Sequence, residues 1–122
     1  MTRPGDVALD TFPYAGHTTT LDALWMGVPT ISLAGRTHVA RAGLSVLSAV
    51  GLTECVADTP EQYVEVAAKV VSDLPRLAEL RRELRGRVAD SPLADARALA
   101  GKLEAALREM WRRWCRREGT DG

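Results

Sequence analysis

No apolar run in this 122-residue chain approaches the roughly 18 residues that a membrane-spanning helix needs. The opening Met1-Thr2-Arg3-Pro4-Gly5-Asp6 lacks the apolar stretch of a secretory signal, so a cytoplasmic protein is expected. Charge of one sign is missing too. Sixteen Lys and Arg balance sixteen Asp and Glu, so no overall field draws the chain to nucleic acid or to an anionic membrane. Cysteine is scarce: Cys55 and Cys115 lie far apart, form no metal-spaced cluster, and are expected as reduced thiols, Cys55 in the core. No Asp-x-Asp pair is present to hold a divalent cation, and neither a Walker loop nor a Gly-x-Gly-x-x-Gly fingerprint occurs. No metal and no resident cofactor are therefore expected. Internal repeats, low-complexity stretches and clear linkers are also lacking.

What remains is a globular composition, 46% hydrophobic and 26% charged, which sets the chain apart from disordered sequences. Its length suits one domain with one modest core and is too short for a two-lobed enzyme. The first half alternates two periods. Asp6 to Asp10 reads as a short buried strand, and Thr18 to Met26 as a helix with Leu21, Leu24 and Trp25 on one face, stopped by Gly27 and Pro29. Pro29 to Leu33 reads as the next strand and Ala34 to His38 as a polar loop. Val39 to Val50 is a second helix ending at Gly51, and Cys55 to Ala57 a third short strand. This order predicts a parallel sheet with right-handed crossovers and an exposed edge at the first strand. The second half is helical. Thr59-Pro60-Glu61-Gln62 carries a capping box, followed by Tyr63, Val66, Ala67, Val70, Val71 and Leu74 at helical spacing. Pro75 is expected to break the chain before a charged helix from about Arg76 to Val88. Ser91-Pro92 is expected to cap a last helix with a stripe of Leu99, Leu103, Leu107, Met110, Trp111 and Trp114. Residues 1–118 are taken as one unit and Gly119 to Gly122 as a frayed tail.

The segment richest in chemistry is Phe12-Pro13-Tyr14-Ala15-Gly16-His17-Thr18-Thr19-Thr20-Leu21-Asp22. It joins the carboxyl end of a strand to a helix start, the usual ligand crevice of an open α/β sheet. Gly16 permits a positive φ and close approach of a ligand. The helix start offers free N–H groups and the positive end of its dipole, to which Thr18, Thr19 and Thr20 add hydroxyls. Asp22, one turn further on, is suited to a sugar hydroxyl pair, and His17 to donation toward a diphosphate. The same residues also suit plain capping, with the threonines closing the helix end and Asp22 favouring its first turn. Local chemistry thus reaches an anion site at a strand–helix turn.

Asp6 to Pro29 resembles the nucleotide-sugar-binding region of the O-linked N-acetylglucosamine transferase / SPINDLY family. The resemblance continues through Ala34-Gly35-Arg36 with His38 and Arg41, Gly51-Leu52, Glu61-Gln62-Tyr63, Asp73-Leu74, Ser91-Pro92-Leu93 and Met110-Trp111, spanning roughly residues 5 to 116. It implies an α/β fold: a partial Rossmann-like lobe of a two-lobed, GT-B type glycosyltransferase, three short parallel strands followed by C-terminal helices. It also implies that this chain is the last part of the donor-binding lobe, with an upstream catalytic lobe and tetratricopeptide repeats as expected partners. Carried across, His17, Thr18 and Thr19 hold the donor diphosphate and Asp22 the ribose. The family's donors are UDP-N-acetylglucosamine in the transferase branch and GDP-fucose in the plant SPINDLY branch. His17 and Asp22 match the UDP branch better. The implied acceptor is a Ser or Thr hydroxyl of a protein, with inversion at the anomeric centre and no required metal.

Arg36, His38 and Arg41 form a second line, as phosphate or acceptor contacts or, for Arg41, as a structural ion-pair partner. Arg108, Arg112, Arg113, Arg116 and Arg117 near Trp111 and Trp114 read best as charges complementing a helix end while the tryptophans pack. In two-lobed transferases of this type the final helix often crosses to the other lobe, which predicts exposed Trp111 and Trp114 here. Two readings outside catalysis stay open: a binding or assembly module derived from this lobe, and a fragment without an independent role.

Overall fold

The computed structural model describes residues 6–118; the expected tail at Gly119 to Gly122 lies outside them. Three parallel strands, β1 (Ala8–Leu9), β2 (Thr30–Leu33) and β3 (Val56–Ala57), lie in the order β1-β2-β3. Ala8 pairs with Thr30 and Leu9 with Ile31; Ser32 pairs with Val56 and Leu33 with Ala57. Helices α1 (Thr18–Trp25) and α2 (Ala42–Ala49) make the two crossovers, and α3 (Pro60–Ser72), α4 (Leu74–Ala89) and α5 (Ala96–Glu118) follow. The expected strand–helix alternation is present, with one 3₁₀ turn, Val39–Arg41, leading into α2 and a second, Thr53–Cys55, leading into β3, so that Cys55 precedes the third strand instead of opening it. Gly27 and Gly51 end α1 and α2 with φ of 75° and 71°, the left-handed geometry that favours glycine.

The core is built where β2 lies between its neighbours. Leu24 of α1, Ile31 of β2, Val46 and Leu47 of α2, Leu52, Cys55, and Leu80 and Leu84 of α4 form one buried cluster. Tyr63, Val66, Ala67 and Val70 of α3 pack half-buried against it. α3 lies along β2 and β3, while α4 packs on α1 and α3. Arg85 of α4 also sits 4.6 Å from the Trp25 ring, which ties the end of α1 down. Among the described residues β1 has a partner on one side only, the open edge expected; the expectation of a buried first strand is corrected, because Ala8 is only half-buried and Leu9 is 60% exposed along that edge.

Three boundaries differ from the expectation. Leu74 does not belong to the stripe of α3. That helix stops at Ser72, and Leu74 opens α4, two-thirds exposed. Pro75 sits in the first turn of α4 rather than between helices, because Asp73 caps that helix by accepting from the Arg76 N–H at 3.1 Å and proline needs no donor there. Ser91 closes α4 instead of opening α5: its hydroxyl donates to the Val88 carbonyl at 2.7 Å. Asp95 is the residue that caps the last helix, accepting from the Ala98 N–H at 2.8 Å. The Thr59 cap forms as expected, accepting from Gln62 N–H at 3.2 Å, while Gln62 Oε1 accepts from Asp58 N–H at 3.0 Å.

Among the described residues no other element packs extensively along α5. Leu99, Leu103, Leu107, Met110, Trp111 and Trp114 are all between 49% and 67% exposed, with the two indoles stacked on each other at 5.2 Å. Among the described residues no helix is long and apolar enough to cross a membrane.

Candidate functional site

The loops that follow parallel strands leave the sheet at one end, and here two of them meet. The segment after β1 runs from Asp10 to His17 and the one after β2 from Ala34 to His38. The Ala15 N–H donates to the Val39 carbonyl at 3.2 Å and joins them. Arg36 and His38, both exposed, thus lie on the loop tied to the one carrying Gly16 and His17. Arg41 turns back: its guanidinium donates to the Gly35 carbonyl at 3.1 Å, and no ion pair to it forms among the described residues. The expected ion-pair role is corrected accordingly, because the loop's own carbonyl lies within reach.

At the start of α1, His17 holds the capping position but no side chain caps the helix. The anion-attracting end of the helix is therefore not closed by the protein's own carboxylates or hydroxyls. His17, Thr18, Thr19 and Asp22 are exposed around that end, and Gly16 is half-buried. Thr20 is 3% exposed, so its hydroxyl is not offered to solvent. A Cβ on Gly16 would lie 2.6 Å from Thr19 Oγ1 and 2.8 Å from Thr20 Oγ1. This also corrects the reason for Gly16. Its φ is not positive; glycine is needed because the first turn of α1 folds directly over it.

Asp10, in sequence no more than the end of a short apolar run, anchors this turn. Its side chain is 8% exposed. Oδ1 accepts from the Gly16 N–H at 2.7 Å and the Thr11 N–H at 3.0 Å, and Oδ2 accepts from the Ser32 hydroxyl at 2.7 Å. The Tyr63 hydroxyl donates to the Asp10 carbonyl at 2.8 Å, and burial first, then the nearby Asp10 carboxylate, pushes that phenol's pKa up. Phe12 packs edge-on to the Tyr63 ring at 5.8 Å. Ser32, Gly43 and Tyr63 were missed as well. The one signal available was an acidic residue ending an apolar strand.

A cleft of about 140 Å³ lies between the outer edge of β1 and α1, lined by Leu9, Asp10, Thr19, Thr20, Ala23 and Thr30. The Thr30 hydroxyl is buried without a partner. A larger hollow of about 730 Å³, lined by Asp90, Ser91, Asp95, Leu99 and Lys102, opens between α4 and α5, away from the strand ends. Among the described residues no group of three or more His, Cys, Asp or Glu could hold a metal ion.

An open parallel sheet with a helix start at its carboxyl end defines part of a Rossmann-like lobe. Comparison with known proteins makes the class specific. Residues 2–103 match glycosyl transferase family 41, and the chain belongs to that family. It is 47% identical over 110 residues to a rice protein named as a probable UDP-N-acetylglucosamine–peptide N-acetylglucosaminyltransferase SPINDLY, covering 90% of this chain and 12% of that protein. It is 35% identical to the Caenorhabditis elegans UDP-N-acetylglucosamine–peptide N-acetylglucosaminyltransferase, over 89% of this chain and 10% of the other. A solved mutant of the Thermobaculum terrenum O-GlcNAc transferase superposes with a TM-score of 0.83 at 45% identity, over 91% of this chain and 21% of that one. The chain thus spans about an eighth of the length of its plant relatives, and its fold is that of a partial lobe of a GT-B type glycosyltransferase.

Proposed function

We propose that this chain is the donor-binding part of a protein O-glycosyltransferase and that the α1 cradle holds the nucleoside diphosphate of UDP-N-acetylglucosamine. The free N–H groups of the first turn, with His17, Thr18 and Thr19, receive the diphosphate; Gly16 lets the backbone come close, and Asp22 accepts from the ribose hydroxyls. Thr20 supports the turn from beneath. Arg36 and His38 face the same crevice from the second loop as further phosphate or acceptor contacts.

The chemistry follows from charge. Departure of the nucleoside diphosphate builds negative charge on the leaving phosphate oxygen, and preorganised donors aimed there lower the barrier; removing one such donor costs ~3 kcal/mol. Helix-end stabilisation serves a metal-independent transfer with inversion to a Ser or Thr hydroxyl. The general base, the acceptor groups and the remainder of the donor pocket belong to an upstream lobe, preceded by tetratricopeptide repeats. The isolated chain does not turn over, because catalysis needs both reactants held in one oriented site.

One observation carries this reading: the α1 start is uncapped and ringed by exposed His17, Thr18, Thr19 and Asp22 at a strand's carboxyl end. Titrating UDP into the ¹⁵N-labelled chain tests it. Weak, saturable shifts at the His17 to Thr20 amides are expected, larger than with GDP, in the chain alone or only once another polypeptide completes the pocket; their absence in both settings up to millimolar UDP rejects the reading. The exposed stripe on α5 favours a second reading, an assembly module. Concentration-dependent oligomerisation without UDP shifts would select it.

A further inference from the structure

The buried Asp10 carboxylate touches no solvent-facing crevice group directly, yet everything at the start of α1 hangs from it. One oxygen holds the Thr11 and Gly16 amides together, so the four residues between them, Phe12 to Ala15, must loop out and return to the same carboxylate. The other oxygen is fixed by Ser32, in the middle of the sheet. Gly43 of α2 leaves room for that pair, since a Cβ there would fall 2.6 Å from Asp10 Oδ2. Tyr63 fixes the Asp10 backbone from α3. Three elements, β2, α2 and α3, thus converge on a residue that is bonded outward to the Thr11 and Gly16 N–H groups, the latter one residue before the helix cap.

We infer that Asp10 is a positioning residue for the nucleotide cradle: its carboxylate holds Gly16 so that the first amides of α1 and His17 face the crevice. The inference rests on the donor-site reading given above, but its structural half stands without nucleotide. A carboxylate accepting two amides and a hydroxyl is satisfied in three directions, which makes the turn rigid rather than merely folded. Holding the turn has an electrostatic cost, because a negative charge behind an anion site opposes a diphosphate. Geometry and charge therefore make opposite predictions for the isosteric amide. In Asp10→Asn the Oδ1 still accepts both amides, while the amide nitrogen donates to a rotated Ser32 hydroxyl and the charge is gone.

The test is amide NMR on the full chain for wild type, Asp10→Asn and Asp10→Ala, with and without UDP. Without nucleotide, Asp10→Ala is expected to move the Gly16 and Thr18 to Thr20 amides while Leu47 and Leu84 stay in place. Its UDP affinity is expected to fall about tenfold or more, from loss of a hydrogen bond to a charged group. Asp10→Asn is expected to keep the Thr18 to Thr20 pattern and to bind UDP as tightly as wild type or more tightly. Unmoved Gly16 and Thr18 to Thr20 amides in folded Asp10→Ala overturn the inference, and so does an Asp10→Asn that binds as poorly as the alanine variant. Should Asp10→Ala fail to fold, Ser32→Ala decides: a shifted Gly16 amide supports the role and an unshifted one overturns it. A wild type that binds UDP neither alone nor with its pocket completed defeats the donor-site reading, and the nucleotide-free shifts still decide whether Asp10 sets the turn.

Discussion

Gly43→Ala should destabilise the fold although it replaces a helical glycine by the best helix former. Gly43 is buried in the first turn of α2, above Ser32. An added Cβ would lie 2.0 Å from Ser32 Oγ, 2.6 Å from Asp10 Oδ2 and 2.7 Å from Ser32 Cβ. Rotating the serine does not relieve this, because its Cβ is itself too close; either α2 must lift from the sheet or the Ser32–Asp10 bond must break. Overpacking costs about 1–3 kcal/mol. A lost hydrogen bond to a charged group costs about 1.5–3 kcal/mol. Against this stands a propensity gain of at most about 1 kcal/mol. By either route the net is a loss of roughly 0.5–2 kcal/mol, or about 2–8 °C in Tm for a chain of this size. Gly86→Ala in α4 is the control. Nothing lies within 4 Å of its Cβ, so only propensity acts, and a gain of about 0.5–1 kcal/mol is expected. Thermal and urea unfolding of the two variants side by side measure the difference. Gly43→Ala at or above the wild-type midpoint would refute the argument, since the backbone would then have absorbed the clash at no cost.

Other perturbations separate the core from the cradle. Cys55 is buried, and its thiol is pushed from 9.0 up to about 11, by burial first and Glu54 second, with Arg76 pulling it down. The folded state keeps a proton that the unfolded thiol has lost, so stability falls as pH rises from 9 to 11, on the order of 2 kcal/mol, and Cys55→Ala should lack that slope in urea titrations. A thiol reagent at pH 8 should modify exposed Cys115 at once and Cys55 only on unfolding. Tyr63→Phe removes the hydroxyl that holds the Asp10 carbonyl and should cost about 1 kcal/mol in denaturant midpoints, with amide shifts concentrated at Thr11. Asp22→Ala, exposed, should leave Tm unchanged within about 0.5 kcal/mol and weaken UDP binding; unchanged UDP shifts would remove the ribose role. A chain ended at Asp95 should keep the amide pattern of the cradle, because among the described residues no element packs extensively along α5.

How far the sequence could be read followed from whether a feature was local. The glycine stops at Gly27 and Gly51 and the Thr59 cap are each set by residues within a turn of one another, and the two crossovers by the order of short periodic segments; all are present. Pro75 was misplaced because proline breaks a helix interior yet suits its first turn, and only the Asp73 cap distinguishes the two. Ser91 was misplaced for the converse reason: its hydroxyl serves the helix behind it rather than the one ahead. The Gly16 to Asp22 segment was visible as a strand–helix turn. Its support was not, because Asp10, Ser32, Gly43 and Tyr63 are brought together from the loop after β1 and from β2, α2 and α3, and a lone Asp after a short apolar run carries no mark of what it will bind. Even Gly16 was found for the wrong reason, since its constraint is the threonine turn above it and not its own φ.

The cradle and the unfinished surfaces of this chain are separate in energy as well as in space. Every bond that shapes the cradle runs between residues 10 and 63: Asp10 to Gly16, Ser32 to Asp10, Ala15 to Val39, Tyr63 to Asp10. The core that carries them draws on α1, α2 and α4 and takes nothing from α5. The open edge of β1 and the six large apolar side chains on α5 therefore stabilise neither the core nor the cradle. Burying a large apolar side chain fully contributes about 1.5–3 kcal/mol, so six that are half to two-thirds exposed withhold on the order of 5–10 kcal/mol from this fold. That is comparable to the whole stability of a small domain. On the proposed reading, so much apolar surface uncovered beside a fully satisfied Asp10 turn means a donor site whose geometry is set internally. A partner surface covering α5 or β1 would then add stability, while the first-turn amides of α1 would already be in place.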